Sequence, residues 1–172
     1  HIPHCLALAL RRFPPRAIVC DWGTGGGLPL IPLAVLFPET DFIGVDAVEK
    51  KVQAVRTFAR RLGLNNASAV HARAEQTLIE HHYSVSRATA PLSVLWSWHL
   101  QEARPCDASP ARGMWQPGLI CLKGGDLEQE IAELKSEYGN LKVERIDIAD
   151  RFSDPYFQHK EIVAVHTRSS HE

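Results

Sequence analysis

The 172-residue chain is short of several things that would have assigned it quickly. Its four cysteines, Cys5, Cys20, Cys106 and Cys121, make no C-x-x-C pair, which argues against a zinc site, a disulfide framework or a redox motif. They read as small core hydrophobes in a reducing compartment, and the cytoplasm is expected. No apolar run approaches the ~20 residues that cross a bilayer, so no membrane partner is expected. The opening H-I-P-H-C-L-A-L-A-L-R-R has neither a basic leader nor a small-residue cleavage site, unlike a secretion signal. A net charge of −1 by itself argues against a nucleic-acid binder. His71, His81, His82 and His99 stand in no recognisable constellation, and no metal ligand set is expected. Two glycine signatures are missing as well. A G-x-G-x-x-G begun at Gly23 meets Leu28 where its third glycine belongs, and one begun at Gly25 meets Leu30. No G-K-[ST] follows either, which removes the P-loop.

What is present is a dense glycine turn. Ala17 to Cys20 predicts a short buried strand with Asp21 at its end, and Gly23, Gly25, Gly26 and Gly27 crowd the next positions. An apolar helix from Leu28 to Leu36 follows, expected to be buried nearly all round. Strand, glycine turn and helix in that order cradle a nucleotide-like cofactor, because glycine admits positive φ and close approach. Four glycines cost roughly 0.5–1 kcal/mol each relative to alanine, an expense a plain turn does not require. The surviving spacing is acid-x-G-x-G-x-G over Asp21, Gly23, Gly25 and Gly27. It resembles motif I of Rossmann-like methyltransferases that use S-adenosylmethionine.

The rest of the chain alternates. A helix is expected over Cys5–Phe13, stopped by Pro14 and Pro15, with no apolar partner segment upstream, as in a fragment. Asp41–Asp46 is the second strand, and Asp46 stands where such folds place an acid on a ribose hydroxyl; a helix-capping acid is the alternative. Val48–Leu62 is a helix with Val52, Val55, Phe58, Ala59 and Leu62 facing inward and Lys50, Lys51, Arg56, Arg60 and Arg61 mostly on its surface. Those bases read either as a solvated face or as phosphate contacts. Residues 1–73 carry nine basic and five acidic side chains, and residues 124–172 carry six and eleven, so one half could meet phosphate. Ala67–His71 leads into Ala74 and Glu75, in the loop that crosses the crevice; Glu75 suits a helix N-terminus equally. Tyr83–Ala88 is the fourth strand, with Arg87 at its carboxyl end. Pro91–Leu100 is a helix, 101–117 a long loop, Leu119–Lys123 the fifth strand and Asp126–Tyr138 an amphipathic helix. Lys142–Ile148 and Lys160–Thr167 close the sheet, and a tail starts at Ser169. The expected fold is a mostly parallel α/β sheet with helices on both faces and its ligand over the strand carboxyl ends.

Taken together, the motifs resemble the RsmG (GidB) family of bacterial 16S rRNA guanine-N7 methyltransferases. D-x-G-T-G-x-G-x-P matches Asp21–Pro29, L-x-D-S-x-x-K-[KR] resembles Val45–Lys51, and R-[AV]-E matches Arg73–Glu75. S-R-A matches Ser86–Ala88, and L-K-G-G matches Leu122–Gly125. The resemblance implies a class I methyltransferase fold with a seven-stranded, mostly parallel sheet and an antiparallel closing strand, as one domain over 1–168 with a tail at 169–172. It implies S-adenosylmethionine held by Asp21, Gly23, Gly25, Gly27, Leu28, Asp46, Ala74, Glu75 and Arg87. Arg87 and Lys123 would position the reactants without a general base, and Lys50, Lys51, Arg56 and Arg60 would meet 16S rRNA or the small subunit. A monomer is expected. The sequence departs from the family at Trp22, at Ala47 in place of serine, at the H-x-x-D-S motif, which reads His1-Ile-Pro-His4-Cys5, and in a helical segment of which only the last helix remains. A small-molecule methyltransferase and a non-catalytic RNA-binding domain with a degenerate pocket are the rival readings.

Overall fold

Short β-branched runs alternating with amphipathic stretches bury both kinds of surface by laying helices on the faces of a sheet. The computed structural model describes residues 2–87, 90–106 and 109–168. The expected tail at 169–172, together with His1 and Ala88 of the quoted motifs, lies outside the described residues. Seven strands form one sheet: β1 (Ile18–Trp22), β2 (Asp41–Asp46), β3 (Ala67–His71), β4 (Tyr83–Arg87), β5 (Leu119–Gly124), β6 (Leu141–Asp147) and β7 (Lys160–Thr167). Their order is β3-β2-β1-β4-β5-β7-β6. The first five run parallel, and β7 is inserted antiparallel between β5 and β6. Helices α1 (Ile2–Leu6), α2 (Leu30–Leu36) and α3 (Glu49–Arg61) pack on one face; α4 (Leu92–Leu100) and α5 (Glu128–Glu137) pack on the other. Strand order reverses between β1 and β4, which opens a crevice at their carboxyl ends.

Several boundaries differ from expectation for local reasons. The first helix is α1 plus a 3-10 turn at Ala7–Leu10, and it does not reach Phe13. A residue before proline is pushed toward extended backbone, so the pair Pro14–Pro15 straightens the chain ahead of it. Phe13 then drops into the core, edge-on to Phe37, Phe42 and Tyr83. α2 starts at Leu30, because Leu28 and Pro29 still belong to the turn, and only Leu30, Leu33 and Ala34 of it are buried. Val35 and Leu36 are exposed, so the helix is buried on one side and not all round. Phe58 and Leu62, expected inward on α3, are also exposed, leaving Val52, Val55 and Ala59 to pack against the sheet. The loop over 101–117 is tied down at its described residues: Trp115 is buried and its indole N–H donates to the Leu8 carbonyl at 2.9 Å. Cys5, Cys20 and Cys121 are buried free thiols, while Cys106 is half-buried.

Trp22 falls on the α4 face, because side chains alternate along a strand and β1 continues past Cys20. Its indole N–H donates to Ser84 Oγ at 2.8 Å, and Ser84 in turn meets His99 Nδ1 at 2.7 Å. Burial lowers the His99 pKa to about 3, so its neutral ring can accept the Ser84 hydroxyl proton. The large side chain therefore fills core beneath α4, edge-on to His81 and beside Trp98. No helix among the described residues is long and apolar enough to cross a membrane.

Candidate active site

The glycine turn is folded down onto the end of β2. The Gly23 and Thr24 amides both donate to the Val45 carbonyl, at 2.8 and 3.1 Å, and the Gly27 amide donates back to the Thr24 carbonyl at 2.9 Å. This path needs left-handed backbone at Gly23, Gly25 and Gly27, with φ of 69°, 56° and 96°. It also needs Gly44 beneath it: a Cβ there would lie 2.8 Å from Thr24 and 2.9 Å from Leu30. Gly44 was not singled out in the sequence, since a lone glycine inside a strand signals close approach without naming the neighbour.

Asp46 joins the turn to the next helix. Its Oδ2 accepts from the Gly25 amide at 2.9 Å, and its Oδ1 accepts from the Val48 amide at 2.9 Å, just ahead of α3. The Val48 bond is an Asx-type turn ahead of α3 and not a helix cap, since no side chain caps that helix, and the same carboxylate faces the glycine turn. Each oxygen retains a second lone pair for a ligand hydroxyl. Beyond β3, Ala74 and Glu75 sit in a 3-10 turn over Ala74–Gln76. Gln101 Nε2 donates to the Ala74 carbonyl at 2.9 Å, which fixes that turn to the end of α4. Sequence reading missed Gln101, a residue 27 positions away with no local signature.

Asp21 lies inside β1, not past its end, and only 1% of it is exposed. Both its carboxylate oxygens are buried, and none of the described residues meets them at full hydrogen-bond geometry. Burial pushes its pKa up to about 8, partly offset by the Thr24 hydroxyl, the Leu30 amide and the positive charge of Arg87. Arg87 ends β4, half-buried, and its charge also reaches His4 and Cys5 on α1. Burial, then Lys160 and Arg87, lowers His4 to about 4, so its ring is neutral.

Lys123 reaches the same rim from β5, but its ammonium is engaged: Nζ donates to Glu130 Oε1 at 2.7 Å and to the Ala90 carbonyl at 2.6 Å. All five bases on α3, Lys50, Lys51, Arg56, Arg60 and Arg61, are exposed, and Arg56 also donates through Nε and Nη2 to the Ala69 carbonyl at 3.2 and 3.0 Å. The structure therefore brings Asp21, the glycine turn, Asp46, Ala74–Glu75 and Arg87 to one rim. It leaves the α3 bases on the neighbouring outer surface.

A seven-stranded sheet in this order, with an acid-ended β2 facing a glycine turn, defines a class I S-adenosylmethionine-dependent methyltransferase. The magnesium protoporphyrin IX methyltransferase of Synechocystis, solved with bound S-adenosylmethionine, shares the fold with a TM-score of 0.65 at 17% identity, over 98% of this chain and 76% of that one. The sequence model of the family described as rRNA small subunit methyltransferase G matches residues 1–151. Ribosomal RNA small subunit methyltransferase G of Salinibacter ruber is 52% identical over 96% of this chain and 77% of its own length. The protein of the same name from Phocaeicola vulgatus is 38% identical over 96% and 75%. The chain belongs to the rRNA small subunit methyltransferase G family.

The rim fits the cofactor of that class. Asp46 offers two oxygens with free lone pairs, Gly26 leaves open space where a Cβ would stand, and Asp21 is a buried carboxyl short of a donor.

Proposed function

We propose that this chain methylates N7 of a guanine in small-subunit (16S) ribosomal RNA, acting in the cytoplasm as a monomer. The observation that carries the reading is the Asp46 carboxylate drawn onto the Gly25 amide at the β1–β2 end of the crevice, in a chain of this family. When bound there, S-adenosylmethionine supplies an electrophilic methyl group on a sulfonium. Gly23, Gly25 and Gly27 let the backbone approach it, Asp46 holds its ribose, and Leu28, Ala74 and Glu75 wall its base. Asp21 offers a carboxylate to its positive end.

Guanine N7 carries a lone pair and no proton, so the rim residues have no proton to remove. Their work is alignment, and a well-aligned pair of reactants can gain roughly 7–11 kcal/mol over a dilute encounter. Arg87 stands at the rim on the side away from Asp46, where its guanidinium holds guanine O6, a phosphate or the cofactor carboxylate. An arginine on N7 itself would occupy the reacting lone pair. Lys50, Lys51, Arg56 and Arg60 hold backbone phosphates of the incoming RNA, with Arg56 contributing what its Ala69 bonds leave free.

Methyl incorporation into 16S rRNA and into assembled small subunits tests the reading, with Arg87→Ala as the first variant. It should lower kcat/KM by about tenfold to hundredfold, the worth of a charge-assisted contact. Full activity in Arg87→Ala would remove that assignment.

A further inference from the structure

The glycine turn, Asp46 and Ala74–Glu75 all stand over β1, β2 and β3, so the cofactor takes that half of the crevice. The acceptor must come over β4 and β5. The described stretch Ala90–Leu92, where the chain enters α4, then walls the acceptor half. Two of its described groups are held by one ion pair. Lys123, 8% exposed along its side chain, donates to the Ala90 carbonyl at 2.6 Å and to Glu130 Oε1 at 2.7 Å. The same Glu130 oxygen accepts from the Leu92 amide at 2.8 Å, among the first unpaired amides of α4. Glu130 comes from α5, seven residues after Lys123, and its side chain is 22% exposed.

We propose that Glu130 is a positioning residue for the acceptor: through Lys123 and the Leu92 amide it fixes Ala90–Leu92, the stretch entering α4 against which the guanine is placed. This rests on the methyl-transfer reading above. It also gives Lys123 its part in the reaction, since its ammonium is spent on Glu130 and Ala90 and acts on the substrate through the backbone they hold. With Glu130 removed, a mostly buried ammonium loses its counter-ion and the start of α4 loses its acceptor, so Ala90–Leu92 is freed while the glycine turn, Asp46 and Ala74 keep their bonds.

The test is Glu130→Gln and the paired apolar variant Lys123→Met/Glu130→Leu, each measured three ways: S-adenosylmethionine affinity by calorimetry, and kcat and KM for methylation of 16S rRNA. Glu130→Gln keeps an oxygen for Leu92 but leaves Lys123 unneutralised. Both variants should bind the cofactor within about twofold of wild type while kcat/KM for RNA falls about tenfold or more, a split that loss of the overall fold would not give. Glu130→Asp, which keeps the charge, should recover part of the loss. Wild-type kcat/KM in both variants would overturn the proposal, as would cofactor affinity falling in step with activity. If Glu130→Gln does not fold, the paired variant decides by the same measurements. If the wild-type chain binds the cofactor but methylates no RNA, the reaction reading fails, which is a different result from either of these.

Discussion

At the scale of single residues, Asp21 is the most consequential side chain in the crevice. A carboxyl buried without full hydrogen-bond partners, with its pKa near 8, keeps its proton at neutrality. Seating a cation beside it favours the ionised form, so cofactor binding at pH 7 should release up to one proton. Calorimetry in two buffers of different ionisation enthalpy checks this, and equal heats in both would contradict it. The same shift acts on stability. A group whose folded pKa is raised contributes fully below its ordinary range, and that contribution is lost as pH rises to about 8. Asp21→Asn should therefore raise the thermal midpoint by a few degrees at pH 8, with little change at pH 4, and weaken cofactor binding. Much of this rim was legible in the sequence, because glycine spacing and strand-end acids are local signals. What was not legible depends on partners brought by the fold. Lys123 was visible at a strand end, but its partner Glu130 lies on the helix that follows, whose facing side the sequence left open, and Trp22 could not be oriented until β1 was seen to continue through it.

At the scale of elements, β2, β3 and β7 match expectation residue for residue, β4 matches over its described residues, and β1, β5 and β6 differ by one or two residues at their ends. Alternation and terminal acids or glycines mark a parallel strand clearly. The N-terminal helix and α2 were less legible, since prolines redirect backbone in ways an apolar count does not register. The loop over 101–117 gave no sign that Trp115 anchors it to Leu8, because a hydrogen bond to a carbonyl 107 residues away leaves no local pattern. α3 carries the prediction at this scale. Its apolar stripe is on the sheet, and Lys50, Lys51 and Arg60 are exposed on the helix. If these meet RNA phosphates, the triple change to alanine should reduce the slope of log affinity against log salt by about two, at roughly 0.7 per phosphate for single strands. Filter binding across a potassium chloride series measures it, and an unchanged slope would assign those bases to the solvated surface.

At the scale of the whole molecule, burial sets the response to acid. His4 and His99 are lowered to about 4 and about 3, and His81 is lowered as well, each chiefly by burial. Groups with depressed histidine values lend stability that is present above about 6.5 and lost as pH falls toward their folded values. Asp21 works the other way between its ordinary range and about 8. Three histidines outweigh one carboxyl below pH 6.5, and the carboxyl acts alone above it, so stability should peak near pH 6.5. Urea unfolding from pH 4 to 9 checks this, and a curve still rising between pH 7 and 8 would contradict it. The central claim is that this crevice aligns a methyl donor with a guanine nitrogen that needs no base. Its most direct test is a single-turnover reaction at saturating cofactor with labelled methyl and 16S rRNA, read by cleavage at N7-methylguanine across pH 6 to 9. The account predicts label on guanine N7 at a rate that does not change with pH. Label on another atom, or a rate that follows a single ionisation, would contradict it.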